Sequence, residues 1–321
     1  MTGRTVRAVY RACRIPGARA PYDRASLKIH YPALPDDSDE QRNAGLVPAD
    51  QSAAPYPAVI ILPGINVGPE AYAWLARRLV LAGLVTLTYT FVAEEMPGYI
   101  SQTPGLDLSA IRPDTYGSRP SANAIGPIIG ALATENTTGP LDGAVDVDRI
   151  ILVGHSGGGS AALFNANRTW FPQVRGAVAY GAHAGASTVL GFEDNTILPL
   201  PDDVPLLLAA GTRDGVIANS AHRYGGESNR VQDTFERGFS RDRGDSYLVE
   251  IAGANHFSMA WPHDDSTGRH FLDEAEEGDP EAIREFLAGL ILAFVADTLD
   301  GSAGRVQALE EHSLVSTFRC R

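Results

Sequence analysis

The sequence predicts an α/β fold in which a mainly parallel central sheet is flanked by helices on both faces. Two observations carry the prediction. The runs 56–62 (YPAVIIL), 84–89 (LVTLTY), 149–153 (RIILV) and 205–210 (PLLLAA) are largely apolar rather than strictly alternating, as strands buried on both faces are. Helix-like stretches separate these runs, and that alternation is what parallel strands with crossover helices require.

Taken in order, the 321 residues read as one domain with an N-terminal antiparallel extension over about 1–50. Residues 33–55 are rich in Pro, Asp, Ala and Ser, so they are expected to form a surface loop leading into the main sheet. A helix is expected over 69–82, with Pro69 at its start, Gly83 just past its end, and Tyr72, Leu75 and Leu79 on one face. The stretch 92–124 holds Pro97, Pro104, Pro113 and Pro120 with little periodicity, and is expected to be a loop insertion over the sheet's C-terminal edge. A second helix should begin at Ser156 or Gly157 and carry Ala161, Ala162, Leu163 and Phe164. Runs 174–180 and 246–251 add two strands, and a helix over 280–299 closes the fold. The insertion 225–245 is dense in Arg, Asp and Gly, which reads as a solvated excursion. No internal repeat is visible.

Composition excludes several function classes. Asp and Glu number 39 against 26 Lys and Arg, a net charge of −13, so the surface should repel phosphate backbones and nucleic acid is not an expected partner. The opening carries Arg4, Arg7, Arg11, Arg14 and Arg19 but lacks the apolar core of a signal peptide, and a cytoplasmic location is expected. No membrane span is expected, since the richest apolar window, 286–295, is too short. Cys13 and Cys320 show no metal or redox spacing. They are expected as free thiols, with a Cys13–Cys320 bond left open because chain ends often lie close together. No metal and no organic cofactor is implied.

Chemistry concentrates where strands end. The run RIILV enters Gly154-His155-Ser156-Gly157-Gly158 and a helix-forming stretch follows. A strand, a sharp turn and a helix expose a serine as nucleophile, and glycine is needed around it because the turn is strained and crowded. A serine hydroxyl needs a base, and the base needs a group that fixes its tautomer. Asp214 follows PLLLAA in GTRDG, and His256 follows SYLVEI in GANHF. The order Ser, Asp, His therefore makes Ser156, His256 and Asp214 the candidate nucleophile, base and acid. His155 is adjacent to the nucleophile and should point away from it. Asp264 and Asp265 come after the histidine and break the order. His222, His263, His270 and His312 lie in polar or helical surroundings and read as solvated.

Acyl transfer also requires two donors for the oxyanion. The N–H of Gly157, directly after the nucleophile, is one; the N–H of Ile65, in the Pro63-Gly64-Ile65 turn leaving the first main strand, is the natural second. Candidate pocket residues are His183, Phe91, Tyr116, Phe257 and Trp261, for each of which packing is an open alternative.

These residues resemble one group, the α/β-hydrolases of the dienelactone hydrolase, bacterial polyester-cutinase and chlorophyllase-like branch. The resemblance covers about 56–262. It rests on Pro63-Gly64-Ile65, AWLARRLVLAGLVTLTY, Val147-Asp148-Arg149 leading into GHSGGG, PLLLAAGTRDGVI and GANHFS, in that order. It implies an α/β-hydrolase fold, Ser156, Asp214 and His256 as the triad, and Ile65 as an oxyanion donor. Dienelactone hydrolases proper carry a cysteine nucleophile, so Ser156 argues against their substrate. Residues 1–50, 92–124 and 225–245 fall outside the resemblance.

The expected activity is hydrolysis of a carboxylic ester, small or polymeric, through an acyl-enzyme. Acyl transfer or cyclisation by the same triad is the alternative within enzymes. A non-catalytic binding protein on the same fold is the alternative outside them.

Overall fold

Ten strands form one sheet in the computed structural model, which describes residues 5–35, 38–96, 98–226, 229–301 and 304–321. The N-terminal part runs β1 (Thr5–Arg14), β2 (Arg24–Ala33), α1 (Asp39–Ala44), β3 (Tyr56–Leu62), α2 (Ala73–Leu81), β4 (Val85–Met96) and β5 (Tyr99–Gln102). The middle adds α3 (Ile125–Glu135), β6 (Val145–His155), α4 (Gly157–Asn165), β7 (Val174–Tyr180), β8 (Leu206–Arg213), α5 (Gly215–Asn219) and α6 (Arg230–Asp233). The chain ends with β9 (Tyr247–Asn255), α7 (Pro280–Asp300) and β10 (Val315–Cys320).

The spatial order is β1-β2-β4-β3-β6-β7-β8-β9-β10, with β5 paired to β4 alone. Strands β4, β3, β6, β7, β8 and β9 are mutually parallel; β1, β2, β5 and β10 join antiparallel. Alternation along each strand divides the core in two. Ile60, Leu152, Ala177 and Leu208 pack on one face with Ile125, Ile128 and Leu132 of α3 and Ala161 and Leu163 of α4. Val59, Ile61, Val153, Val178 and Leu207 pack on the other with Leu75 and Leu79 of α2 and Leu287, Ile291 and Phe294 of α7. The architecture is an α/β sheet covered by helices on both faces. No helix of the described residues is long and apolar enough to cross a membrane.

Two expectations are corrected, and the pairing of the cysteines, left open, is closed. Residues 92–96 and 99–102 are not loop: β4 continues to Met96 and β5 returns antiparallel to it, with Val92 opposite Gln102. Within 225–245, residues 230–239 are not a solvated excursion. Arg230 is 1% exposed, and Val231, Phe235 and Phe239 join the core, because α6 and the wide turn 234–238 carry an apolar face beneath their charges. Cys13 and Cys320 are free and sit on the two outermost strands, β1 and β10. Eight inter-strand gaps of about 4.8 Å put them roughly 40 Å apart, far beyond disulfide reach.

Candidate active site

The parallel strands deliver the predicted residues to one edge of the sheet. Ser156 follows β6 directly, Asp214 follows β8, His256 follows β9, and Pro63 to Ile65 follow β3. Ends of parallel strands share an edge because right-handed crossovers return the chain in the same direction, so four loops distant in sequence converge there.

Ser156 occupies the tip of a tight turn at φ 55, ψ −122, a conformation that L-residues adopt only when the surroundings hold it, at about 1–3 kcal/mol. The surroundings are closely packed. A Cβ at Gly154 would stand 2.1 Å from the Gly158 carbonyl oxygen, and one at Gly158 would stand 2.2 Å from the Leu62 carbonyl oxygen. Glycine at both positions lets α4 start against β3 and keeps the serine raised above the strand ends.

His256 Nε2 lies 2.9 Å from Ser156 Oγ, and His256 Nδ1 lies 2.8 Å from Asp214 Oδ2. A carboxylate only accepts, so in the neutral ring the proton sits on Nδ1 and the Nε2 lone pair faces the serine hydroxyl. Asp214 Oδ1 accepts the Ile217 N–H at 2.8 Å, which caps α5 and fixes the carboxylate. The His256 and Asp214 side chains are 3% and 6% exposed, so water barely competes for their bond. Both residues must pass over the end of β7 to reach Ser156, and Gly181 makes room there. A Cβ at Gly181 would come within 3.0 Å of His256 Nδ1 and 3.3 Å of Asp214 Oδ2.

The two N–H groups proposed for the oxyanion donate to no acceptor among the described residues. Gly157 is the first residue of α4, where the helix leaves its N–H unpaired, and Ile65 donates to no described backbone or side-chain acceptor. Their loops touch, since a Cβ at Gly157 would meet Ile65 Cγ1 at 3.0 Å. The Ile65 loop is braced from β5: Asn66 N–H donates to the Gln102 carbonyl at 2.8 Å, and Gln102 returns bonds to Asn66 Oδ1 and the Val67 carbonyl. The hairpin missed in the sequence thus supports this turn.

A buried relay links the same loops from beneath. Tyr72 OH lies 2.8 Å from His155 Nδ1 and accepts the Gly64 N–H at 2.9 Å, while His155 Nε2 lies 2.9 Å from the His256 carbonyl. A carbonyl only accepts, so His155 carries its proton on Nε2 and Tyr72 donates to Nδ1. Burial drives the His155 imidazole well below its ordinary range, and the nearby His256 adds to the effect, which keeps the ring neutral. His155 does point away from the Ser156 hydroxyl, as expected, into the bonds with Tyr72 and the His256 carbonyl. Tyr72 read as a core residue in the sequence, because its partner is 83 positions away.

The pocket candidates separate. His183 is 8% exposed, edge-on to Tyr224 at 4.5 Å, and held near neutral form down to about 4 by burial and by Arg230. Phe257 is buried, stacked on His270 at 3.6 Å and edge-on to His256 at 5.1 Å. It backs the base. Phe91 is buried in the core beside β2, Tyr116 bonds the Pro199 carbonyl and packs on Phe164, and Trp261 lies under the Arg284 guanidinium. Phe91 and Tyr116 are taken up by packing, whereas Trp261 stays exposed. Leu106 was not anticipated, yet it approaches Gly157 beside Ile65.

A surface concavity of about 600 Å³ beside β1 and α3 touches none of these residues. Its lining includes Arg11, Cys13 and Glu135, with the Arg11 guanidinium paired to the Glu135 carboxylate, and none of the predicted site residues. Among the described residues no group of three or more His, Cys, Asp or Glu side chains is placed to share a metal ion. No protein-family model matches the chain, and no curated protein matches it significantly.

Proposed function

We propose that the chain is a serine hydrolase of the α/β-hydrolase fold that cleaves a carboxylic ester through an acyl-enzyme. One observation carries the reading: the unbroken hydrogen-bonded chain from Ser156 Oγ through the His256 ring to Asp214, at 2.9 and 2.8 Å. The strained serine between β6 and α4, and the order Ser, Asp, His along strand ends, support it.

In this reading Ser156 Oγ attacks the ester carbonyl carbon while His256 Nε2 takes its proton. Asp214 keeps Nδ1 protonated and stabilises the imidazolium. The Ile65 and Gly157 N–H groups receive the oxyanion of the tetrahedral intermediate, and loss of one such donor typically costs ~3 kcal/mol of barrier lowering. The intermediate collapses as His256 gives the proton to the leaving alcohol. Water, deprotonated by the same histidine, then releases the acid.

The test is hydrolysis of p-nitrophenyl esters from acetate to palmitate, run beside fluorophosphonate labelling. Ser156→Ala and His256→Ala are expected to lose roughly 10⁴-fold or more in kcat/KM with the fold intact. Full esterase activity in Ser156→Ala would sink the assignment. A wild type that labels without hydrolysing any ester would indicate acyl transfer, and one that does neither would indicate a binding protein.

A further inference from the structure

A segment outside the nucleophile, acid and base loops holds two of them together. Residues 272–277 cross the ends of β8 and β9 before α7 begins. On the β8 side, Asn219 Nδ2 donates to the Leu272 carbonyl at 3.0 Å and Arg213 Nε to the Ala275 carbonyl at 2.9 Å. On the β9 side, Asn255 Nδ2 donates to the Glu274 carbonyl at 2.7 Å, and Glu277 N–H to the Gly253 carbonyl at 2.9 Å. The fit is close. A Cβ at Gly215 would stand 2.5 Å from the Leu272 carbonyl oxygen, and one at Gly253 would stand 2.0 Å from that of Glu277.

Asp273 lies at the centre of this strap. Its Oδ1 accepts the Gly215 N–H at 2.9 Å, and its Oδ2 accepts the Phe257 N–H at 3.3 Å, a proton shared with Asn255 Oδ1 at 3.0 Å. These two N–H groups belong to the residues directly after Asp214 and His256. One carboxylate therefore spans the backbones that carry the acid and the base. We propose that Asp273 is a positioning residue, whose two oxygens hold those backbones at the separation that the bond between His256 and Asp214 requires. The inference rests on the hydrolase reading and extends it to a residue outside the triad.

Stability alone does not account for a carboxylate here. Burial raises the Asp273 carboxyl above its ordinary range, the charged form of His256 opposes the rise, and Asp214 adds to it. The ionised group is thus held at a cost to folding, against which its two backbone hydrogen bonds act. Other carboxylates of the strap are placed differently. Glu277 is exposed and reaches only Arg213, and Glu276 meets the Ser258 hydroxyl.

The experiment compares Asp273→Asn, Asp273→Ala and, as control, Glu311→Gln, an exposed carboxylate outside the strap, with the wild type. Three readouts are taken: p-nitrophenyl acetate kinetics, the rate of fluorophosphonate labelling, and the low-field proton resonance of the His256 Nδ1–H. Both Asp273 variants are expected to lose about 10-fold in kcat with KM within twofold, to label about 10-fold more slowly, and to lose or broaden the low-field proton. The control keeps all three. A well-folded Asp273→Ala with wild-type labelling and an undisturbed proton signal would overturn the proposal. If the wild type hydrolyses no ester, the hydrolase reading fails on its own; labelling and the proton signal, which need no ester, still decide the role of Asp273.

Discussion

Removing the phenolic oxygen of Tyr72 would leave two buried groups unpaired, the Gly64 N–H and His155 Nδ1. Tyr72→Phe is therefore expected to lose ~2 kcal/mol or more of stability, read by urea denaturation, since each stranded buried group costs ~1–3 kcal/mol. On the hydrolase reading turnover should fall about 10-fold as well, because the Gly64 turn, the Ser156 turn and the His256 loop lose their shared tie. An unchanged denaturation midpoint would show that the relay bears no load. At this scale the sequence was most legible where a residue's meaning is local. Ser156, Asp214 and His256 each follow a recognisable strand and sit among glycines, so the neighbours of each identified it. Tyr72, Gly181 and Asp273 were illegible for the converse reason. Each acts on partners tens of positions away, and nothing beside them in the chain differs from ordinary core, turn or surface.

Helix α4 can start where it does only because its second residue has no side chain. Gly158→Ala would drive a methyl into the Leu62 and Pro63 carbonyl oxygens, at 2.2 and 2.5 Å, and these belong to backbone at the end of β3 that cannot swing aside. The element must shift. The expected result is a loss of ~3 kcal/mol or more in stability together with loss of fluorophosphonate labelling, as both the packing and the serine's placement go. Retained labelling would mean that α4 moves without carrying Ser156. Elements with strong periodicity were legible, α2 and α7 above all, through Pro at the start and Gly just past the end. Strand β5 was not, because four residues between prolines give too short a pattern to separate from loop. Helix α6 was hidden by its own charges, since Arg230 is buried only after its guanidinium finds Asn195 and the Tyr224 carbonyl.

Across the whole molecule, His30, His155 and His183 are buried as neutral rings. Burial is the main cause in each; it holds His30 and His183 down to about 4 and His155 well below its usual range. The folded pKa is depressed below the unfolded value near 6.5, so the unfolded chain binds more protons as pH falls. Stability is then complete above about 6.5 and declines as pH drops towards 4, by roughly 3 kcal/mol for each ring held near 4. A melting series from pH 7 to pH 4 should show this fall, and His30→Gln should flatten it by one ring's share. A profile equally steep in that variant would place the acid sensitivity elsewhere. The two-faced core and the direction of the main strands were legible at this scale because the apolar runs are long and unbroken. The separation of the cysteines was not, because only the strand order reveals it. That order also leaves two flanks unpaired, and a bare strand flank is a template on which another chain can crystallise. Strand β1 carries Arg7, Arg11 and Arg14, tied to the Gly45 carbonyl, Glu135 and Asp23, while at β10 Arg319 is tied to Glu236. Any strand seeking to extend the sheet must first strip water and partners from those guanidinium groups, so the charge that says nothing about catalysis works against fibrous growth.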